Sequence, residues 1–219
     1  MKLLNKKHDD HAKLYDLGMK LHWLGMYQKF RKSIIKNFGD FQDKTILDFG
    51  CGTGLLLEFI KKNYPYNGLY IGLDTGYNML QTAKNKNIKH DSQLFVQLSE
   101  VPYLPVKYST IDIICSCLVI HQISHENKLI LFKEMQRVLK PDGKIVMTEF
   151  CKPYNLVGKY GAFYTKYIWG KIIPEIATNI IDNLEGNIPD MLKMSGCSEV
   201  KVAARWKGFI NIITAIKNV

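Results

Sequence analysis

Long apolar runs are missing from this chain. No stretch approaches the roughly 20 consecutive apolar residues that a membrane-spanning helix needs. The opening MKLLNKKHDDH turns charged after two leucines, without the apolar core and small-residue cleavage site of a secretory signal. Cysteine is sparse: five residues, an odd number, with no C-x-x-C pair to suggest a disulfide framework. No convergent ligand spacing points to a metal. These absences predict a cytoplasmic protein without a metal centre. Acidic residues are also short, 20 against 30 lysines and arginines, for a net charge of +10. A positive surface favours anionic partners, either nucleic acid or an acidic membrane face. The basic-aromatic motif of an RNA binder is absent, which disfavours nucleic acid.

What remains is ordinary globular composition, 47% hydrophobic and 23% charged over 219 residues, enough for one sizeable core. Residues 1–40 read as a helical N-terminal cap, with Leu14, Leu17, Leu21 and Leu24 at helical spacing. Thr45–Phe49 is a short apolar run closed by glycines, the pattern of a buried parallel strand. Helices over 55–62, 76–86 and 124–139 alternate with strands over 69–73, 93–97, 111–117 and 144–150, the last entered through a Pro141-Asp142-Gly143 turn. Cys115 and Cys117 share one strand face. Such alternation predicts an α/β, Rossmann-like, doubly wound and mostly parallel seven-stranded sheet in a single domain. Residues 151–195 read as an inserted substrate lid plus a helix over 176–195, and 196–219 as the closing strands.

The strongest chemical signal is Asp48-Phe49-Gly50-Cys51-Gly52-Thr53-Gly54. Alternate glycines after a strand let the backbone turn sharply and approach a ligand closely, and the following helix offers free N–H groups there. Dinucleotide enzymes use a similar turn. Asp48, however, can meet an ammonium group, which suits an amino-acid moiety better than a pyrophosphate. Asp74 ends the next strand and either accepts ribose hydroxyls or caps the helix that follows.

The segments ILDFGCGTG, GLDTGYNML, LPVKYSTIDIICS and RVLKPDGKIVMTEF, spanning roughly residues 44–150, resemble successive motifs of class I S-adenosylmethionine-dependent methyltransferases. The later part is similar to their ubiquinone/menaquinone and small-molecule or lipid branch. The resemblance implies S-adenosylmethionine as cofactor. Asp48, Gly50, Cys51, Gly52, Thr53 and Gly54 would then hold its methionine part, and Asp74 its ribose. Thr75 and Met79 would lie beside the adenosine, with Ser99, Glu100 and Val101 near the adenine and Cys117 closing the set. Where relatives often carry Asp before a Leu-Pro pair, this chain has Glu100.

On the acceptor side, His121 follows the fourth strand at the edge where open α/β sheets bind ligands, and it is the candidate base. A loop histidine held by hydrogen bonds is the competing reading. Tyr15, Gln122, Tyr160 and Tyr164 complete the candidate substrate contacts. Arranged as a helix, Leu156, Tyr160, Phe163, Tyr164 and Tyr167 share a face flanked by Lys159 and Lys166, with Trp169 near its end. That face suits either contact with an anionic membrane or packing over an apolar pocket. Gly158, Gly161 and Gly170 weaken a helix there and fit a mobile lid. The expected activity is methyl transfer to a small or apolar acceptor such as a quinone precursor or lipid. A nucleic-acid methyltransferase and a nicotinamide-dependent oxidoreductase share parts of the pattern.

Overall fold

In the computed structural model, which describes residues 16, 26–87, 92–172 and 180–218, the expected alternation folds into one seven-stranded sheet. Its strands are β1 (Ile46–Phe49), β2 (Tyr70–Asp74), β3 (Gln93–Gln97), β4 (Ile111–Cys117), β5 (Leu139–Phe150), β6 (Cys197–Trp206) and β7 (Ile210–Lys217). They lie in the order β3-β2-β1-β4-β5-β7-β6. Strands β1 to β5 are parallel, and β7 returns antiparallel between β5 and β6. The chain winds outward from β1 to β3 and then comes back to β4. The carboxyl ends of β1 and β4 therefore flank the switch point where such sheets hold ligands.

Strand period places alternate residues in two cores. Ile46 faces α1 (Tyr27–Lys36) and α2 (Leu55–Asn63), among Phe30, Ile34, Leu57 and Ile60. Leu47 faces α4 (His125–Val138) and α6 (Ile188–Met194), among Phe132, Met135 and Leu192. Each such side chain contributes about 1.5–3 kcal/mol by leaving water. Cys115 and Cys117 do share the face toward α1. A third helix, α3 (Tyr77–Asn87), follows β2.

Three local expectations change. The helix before β5 stops at Val138, and β5 begins at Leu139 rather than Lys144. Pro141-Asp142-Gly143 is taken up as a bulge inside the strand. Across it β4 advances from Ile111 to Ile113 while β5 advances from Leu139 to Lys144, and Asp142 sits at φ 60°. The helix expected over 176–195 is broken: helical turns over 180–184 end at Gly186, whose φ of 95° suits a residue without Cβ, and α6 starts two residues later. Residues 176–179 of that span, the leucines of the N-terminal cap and Tyr15 lie outside the described residues.

The third change reverses a face. Residues 156–172 form a helix, α5. Its glycines do not loosen it; they are the side that packs. A Cβ on Gly158 would stand 2.0 Å from the Gly208 carbonyl oxygen, and one on Gly161 2.8 Å from the Phe209 ring. Ala162 is buried on the same side. The aromatics consequently look outward, Tyr160 being 74% and Tyr164 58% exposed. Among the described residues they face away from the packing side rather than over an apolar pocket. Gly158→Ala is expected to push α5 off the Gly208–Phe209 loop and destabilise the protein by about 1–3 kcal/mol, read as a lower Tm. An unchanged Tm would mean that this helix does not depend on the close approach.

Candidate active site

The turn after β1 is built by backbone conformation. Gly50, Gly52 and Gly54 all adopt left-handed φ values, 75°, 53° and 73°. The N–H groups of Gly50 and Cys51 both donate to the Leu73 carbonyl, at 2.8 and 3.0 Å, fastening the turn to the end of β2. A Cβ on Gly50 would collide with Val119 at 2.3 Å, whereas a Cβ on Gly52 would meet nothing within 4 Å. The first glycine thus serves packing. The second leaves open space above the turn, as a cradle for a bound ligand requires.

Two aspartates frame that space. Asp48 is 3% exposed on β1, between Gly72 of β2 and Cys115 of β4. Tyr70 donates its hydroxyl to the Asp48 carboxylate at 2.5 Å. Burial pushes the carboxyl up to about 6, with Asp74 adding to the rise and Tyr70 and the Arg31 guanidinium opposing it. Asp74 accepts one N–H on each oxygen, from Gly52 and from Gly76, both at 2.8 Å. It therefore does cap the start of α3, and it also pins the glycine turn. Thr53 is buried and donates to the carboxylate of Asp16 at 2.5 Å, and Asp16 is also paired with Lys86 of α3.

The residues that the sequence reading placed beside the adenosine lie in a more open region. Met79 is buried on α3. The Thr75 carbonyl accepts from the Gln97 side chain at 3.1 Å. Leu98 donates its N–H to the Asp74 carbonyl at 2.8 Å, bringing the following loop beside β2. There Ser99 and Glu100 are exposed and Val101 is half-buried. Cys117, at the end of β4, has its thiol pushed up to about 11 by burial, with Arg31 lying against it.

Beyond β4, Leu118 takes a φ of 56° and donates its N–H to the Thr148 carbonyl, turning the chain sharply back toward β5. His121 sits on the short 3-10 turn Ile120–Gln122 and is 8% exposed. Its Nδ1 lies 2.8 Å from Glu149 Oε1, and its backbone N–H donates to Glu149 Oε2 at 3.1 Å. Glu149 is wholly buried and accepts a third bond from the Phe150 N–H at 2.8 Å. A carboxylate at Nδ1 holds the ring with Nε2 as the remaining nitrogen for chemistry. The Phe150 ring flanks the imidazole at 4.9 Å between centroids and stacks on Phe209 at 5.7 Å. Gln122 is half-buried on the same turn. Tyr160 and Tyr164 stand instead on the outer surface of α5.

Sequence reasoning passed over three of these groups. Arg31 lies on the apolar face of α1, four residues from Tyr27, whose hydroxyl accepts its Nε–H at 3.1 Å. Glu149 is a charge at the end of the otherwise apolar run KIVMTEF. Both are ionic residues at core-facing positions, and that was the available signal. For Asp16 the signal was its place directly after Tyr15, while its partners are 37 and 70 residues away.

The chain matches the methyltransferase domain family over residues 46–143. It is 29% identical over 211 residues to the demethylmenaquinone methyltransferase of Lactobacillus johnsonii, an alignment covering 94% of this chain and 81% of that protein. The fold is similar to a SAM-dependent methyltransferase from Aquifex aeolicus, with a TM-score of 0.61 at 20% identity over 86% of this chain and 89% of the other. It is also similar to phosphoethanolamine N-methyltransferase 2 of Haemonchus contortus in complex with S-adenosyl-L-methionine. There the TM-score is 0.64 at 18% identity, over 87% of this chain and 53% of the other. The matched domain is a methyltransferase domain and the Lactobacillus johnsonii relative is a methyltransferase, which is what this chain is similar to.

Asp48 yields a pH test. A carboxylate must be ionised to hold an ammonium group, so cofactor affinity should fall about tenfold between pH 7 and pH 5 as a group titrating near 6 is protonated. The apo protein should show the opposite trend. A raised carboxyl favours the fold at low pH and loses that contribution as pH rises through about 6. Calorimetric titration across this range checks the first trend and Tm the second. Asp48→Asn should flatten both, and a wild-type affinity that ignores pH would remove Asp48 from the ammonium site.

Proposed function

We propose that this chain is a class I S-adenosylmethionine-dependent methyltransferase that methylates a small hydroxylated acceptor, with His121 as base. A reduced quinone is the first candidate. The observation that carries this reading is the His121–Glu149 pair at the carboxyl edge of β4 and β5. The name of the Lactobacillus johnsonii relative supports the quinone.

When bound, the cofactor supplies a sulfonium-activated methyl group. The chain's residues would hold it by four means. Asp48 would take the ammonium, with Arg31 keeping that carboxylate charged. The backbone of Gly50–Gly54 would line the methionine part. Asp74, already fixed by two N–H groups, would accept the ribose. Met79, Thr75 and the loop from Ser99 through Glu100 to Val101 would border the adenosine, with Cys117 below.

His121 would take the acceptor's proton at Nε2. Glu149 is a positioning residue, setting the ring's tautomer and stabilising the charge that the imidazole gains. General-base help of this kind contributes about 10²–10⁴-fold, and alignment of donor and acceptor in a water-excluding site supplies more. His121→Ala should lower kcat about 10²-fold or more with cofactor affinity unchanged. Glu149→Gln should lower kcat while leaving KM near its original value. Methyl-transfer assays with labelled cofactor and reduced quinones measure both. A loss below tenfold in His121→Ala would leave that residue a structural histidine.

The acceptor's surroundings are addressed by α5. We propose that its outer face rests on an anionic membrane. Leu156, Val157, Tyr160, Phe163, Tyr164 and Tyr167 are exposed together, with Lys159 and Lys166 beside them. Large apolar and aromatic side chains gathered on one exposed face are the kind of patch that marks a contact surface. Each lysine near an anionic surface adds on the order of 1 kcal/mol, and buried aromatics add a contribution that salt does not screen. No described helix is long and apolar enough to cross a membrane, so contact would be peripheral. The N-terminal lysines Lys2, Lys6, Lys7 and Lys13 and the Trp169 side chain, also expected at this surface, lie outside the described residues. Sedimentation with anionic liposomes should show binding that weakens with salt and with Tyr164→Ser/Tyr167→Ser. A protein that ignores liposomes at every salt would leave α5 without this role.

A further inference from the structure

A cavity of about 350 Å³ opens where β5 ends, bounded by Phe150, Tyr154, the segment leading into α6 and the first residues of β7. Phe150 belongs both to this wall and to the His121 ring contact, so the cavity adjoins the proposed base. Its apolar floor includes Ile188 and Ile213, but its polar groups give it a character.

Asn183 lines the cavity and is almost fully buried. Lys128, itself wholly buried, donates to the Asn183 side-chain oxygen at 2.6 Å and to Asp182 at 2.5 Å. An ammonium has only donors, so the contact fixes which way round the amide lies. The Nδ2 group is left buried with no hydrogen-bond partner among the described residues. Asn211, in the same wall, has a buried side-chain oxygen equally without one. Buried polar atoms are rarely left so, and each calls for a partner supplied from elsewhere.

Two cations complete the lining. The Arg205 guanidinium lies over the Tyr154 ring at 5.1 Å, and the Tyr154 hydroxyl accepts the Gly208 N–H at 3.1 Å, which steadies the platform. Lys152 also lines the cavity, as does one carboxylate, Glu185. Neither cation is in a salt bridge among the described residues.

We propose that this cavity binds an oxyanion carried by the methyl acceptor, a carboxylate or a phosphate. Arg205 and Lys152 supply the charge, Asn183 donates a hydrogen bond, and Asn211 accepts one from a hydroxyl of the same molecule. The inference rests on the reading that the acceptor reacts beside His121. It narrows the acceptor from a neutral quinol to a hydroxylated compound, hydroquinones included, that carries an acidic group at one end.

Calorimetric titration of the full chain at low ionic strength, with inorganic phosphate and separately with benzoate, tests this without turnover. At least one should bind at millimolar concentration. Phosphate alone would indicate a phosphate-bearing acceptor, and benzoate alone a carboxylate. Arg205→Gln, an exposed substitution that leaves the core intact, should weaken the bound anion about tenfold, as should Asn183→Leu if that variant folds. Lys201→Gln, on a distant exposed ion pair, should change nothing. The proposal is overturned if neither anion binds, or if Arg205→Gln binds as wild type does. His121→Ala should retain anion binding. Anion binding without any effect of His121 on turnover would retire the base while keeping this site. Turnover of a neutral acceptor without anion binding would do the reverse.

Discussion

Asp48 sits on the central strand of the sheet with its carboxylate almost wholly removed from water, and the elements around it offset that cost. Burial of an ionised group is expensive unless it is paired and hydrogen-bonded. Tyr70 on the neighbouring strand donates to the carboxylate, and the Arg31 charge on α1 is close enough to favour its ionised form. Arg31 is itself buried, held by Tyr27 and lying against Cys117. The packing of α1 on the sheet and the charge state of the site are therefore one problem. Disturbing the helix would take away a positive charge that opposes protonation of the buried carboxyl.

The same economy of backbone governs the cofactor side. The left-handed glycines, the Leu73 carbonyl and Asp74 hold the turn by local bonds within one β-α-β unit. Local bonds leave local sequence signatures, which is why ILDFGCGTG and GLDTG could be read as a site before any fold was known. The strand positions were legible for the same reason: β1, β3 and β4 are short, apolar and bounded by turn residues. Asp74 is the instructive case. Its alternatives, capping α3 or facing a ligand, share one position at the strand end, and the cap is visible in the Gly76 bond.

Acceptor-side features are long-range and left weaker traces. Glu149 meets His121 across 28 residues, Lys128 meets Asn183 across 55, and the face of α5 is decided by Gly208 and Phe209, which follow it by some 40 residues or more. Helix propensity read Gly158 and Gly161 as weakness. In the fold they form the side of α5 that is slim enough to approach a backbone at that distance. The break at Gly186 was missed because apolar residues continue at helical spacing on either side of it. The bulge in β5 was missed because a Pro-Asp-Gly sequence ordinarily ends an element rather than interrupting one.

The consequence for the acceptor edge is a continuous path of contact. The glycine face of α5 rests on Phe209, Phe209 stacks on Phe150, and Phe150 flanks the His121 ring that Glu149 holds. Each link is an aromatic or backbone contact at close range, where a shift of a few tenths of an ångström is felt by the next. The surface helix and the buried imidazole thus belong to one packed unit. The outward aromatics of α5 cannot be moved far, by a surface or by substitution at its packing face, without the site registering it. On the proposed reading the acceptor lies against the half of the molecule whose sequence is least regular, while the glycine turn keeps the local geometry that made it readable.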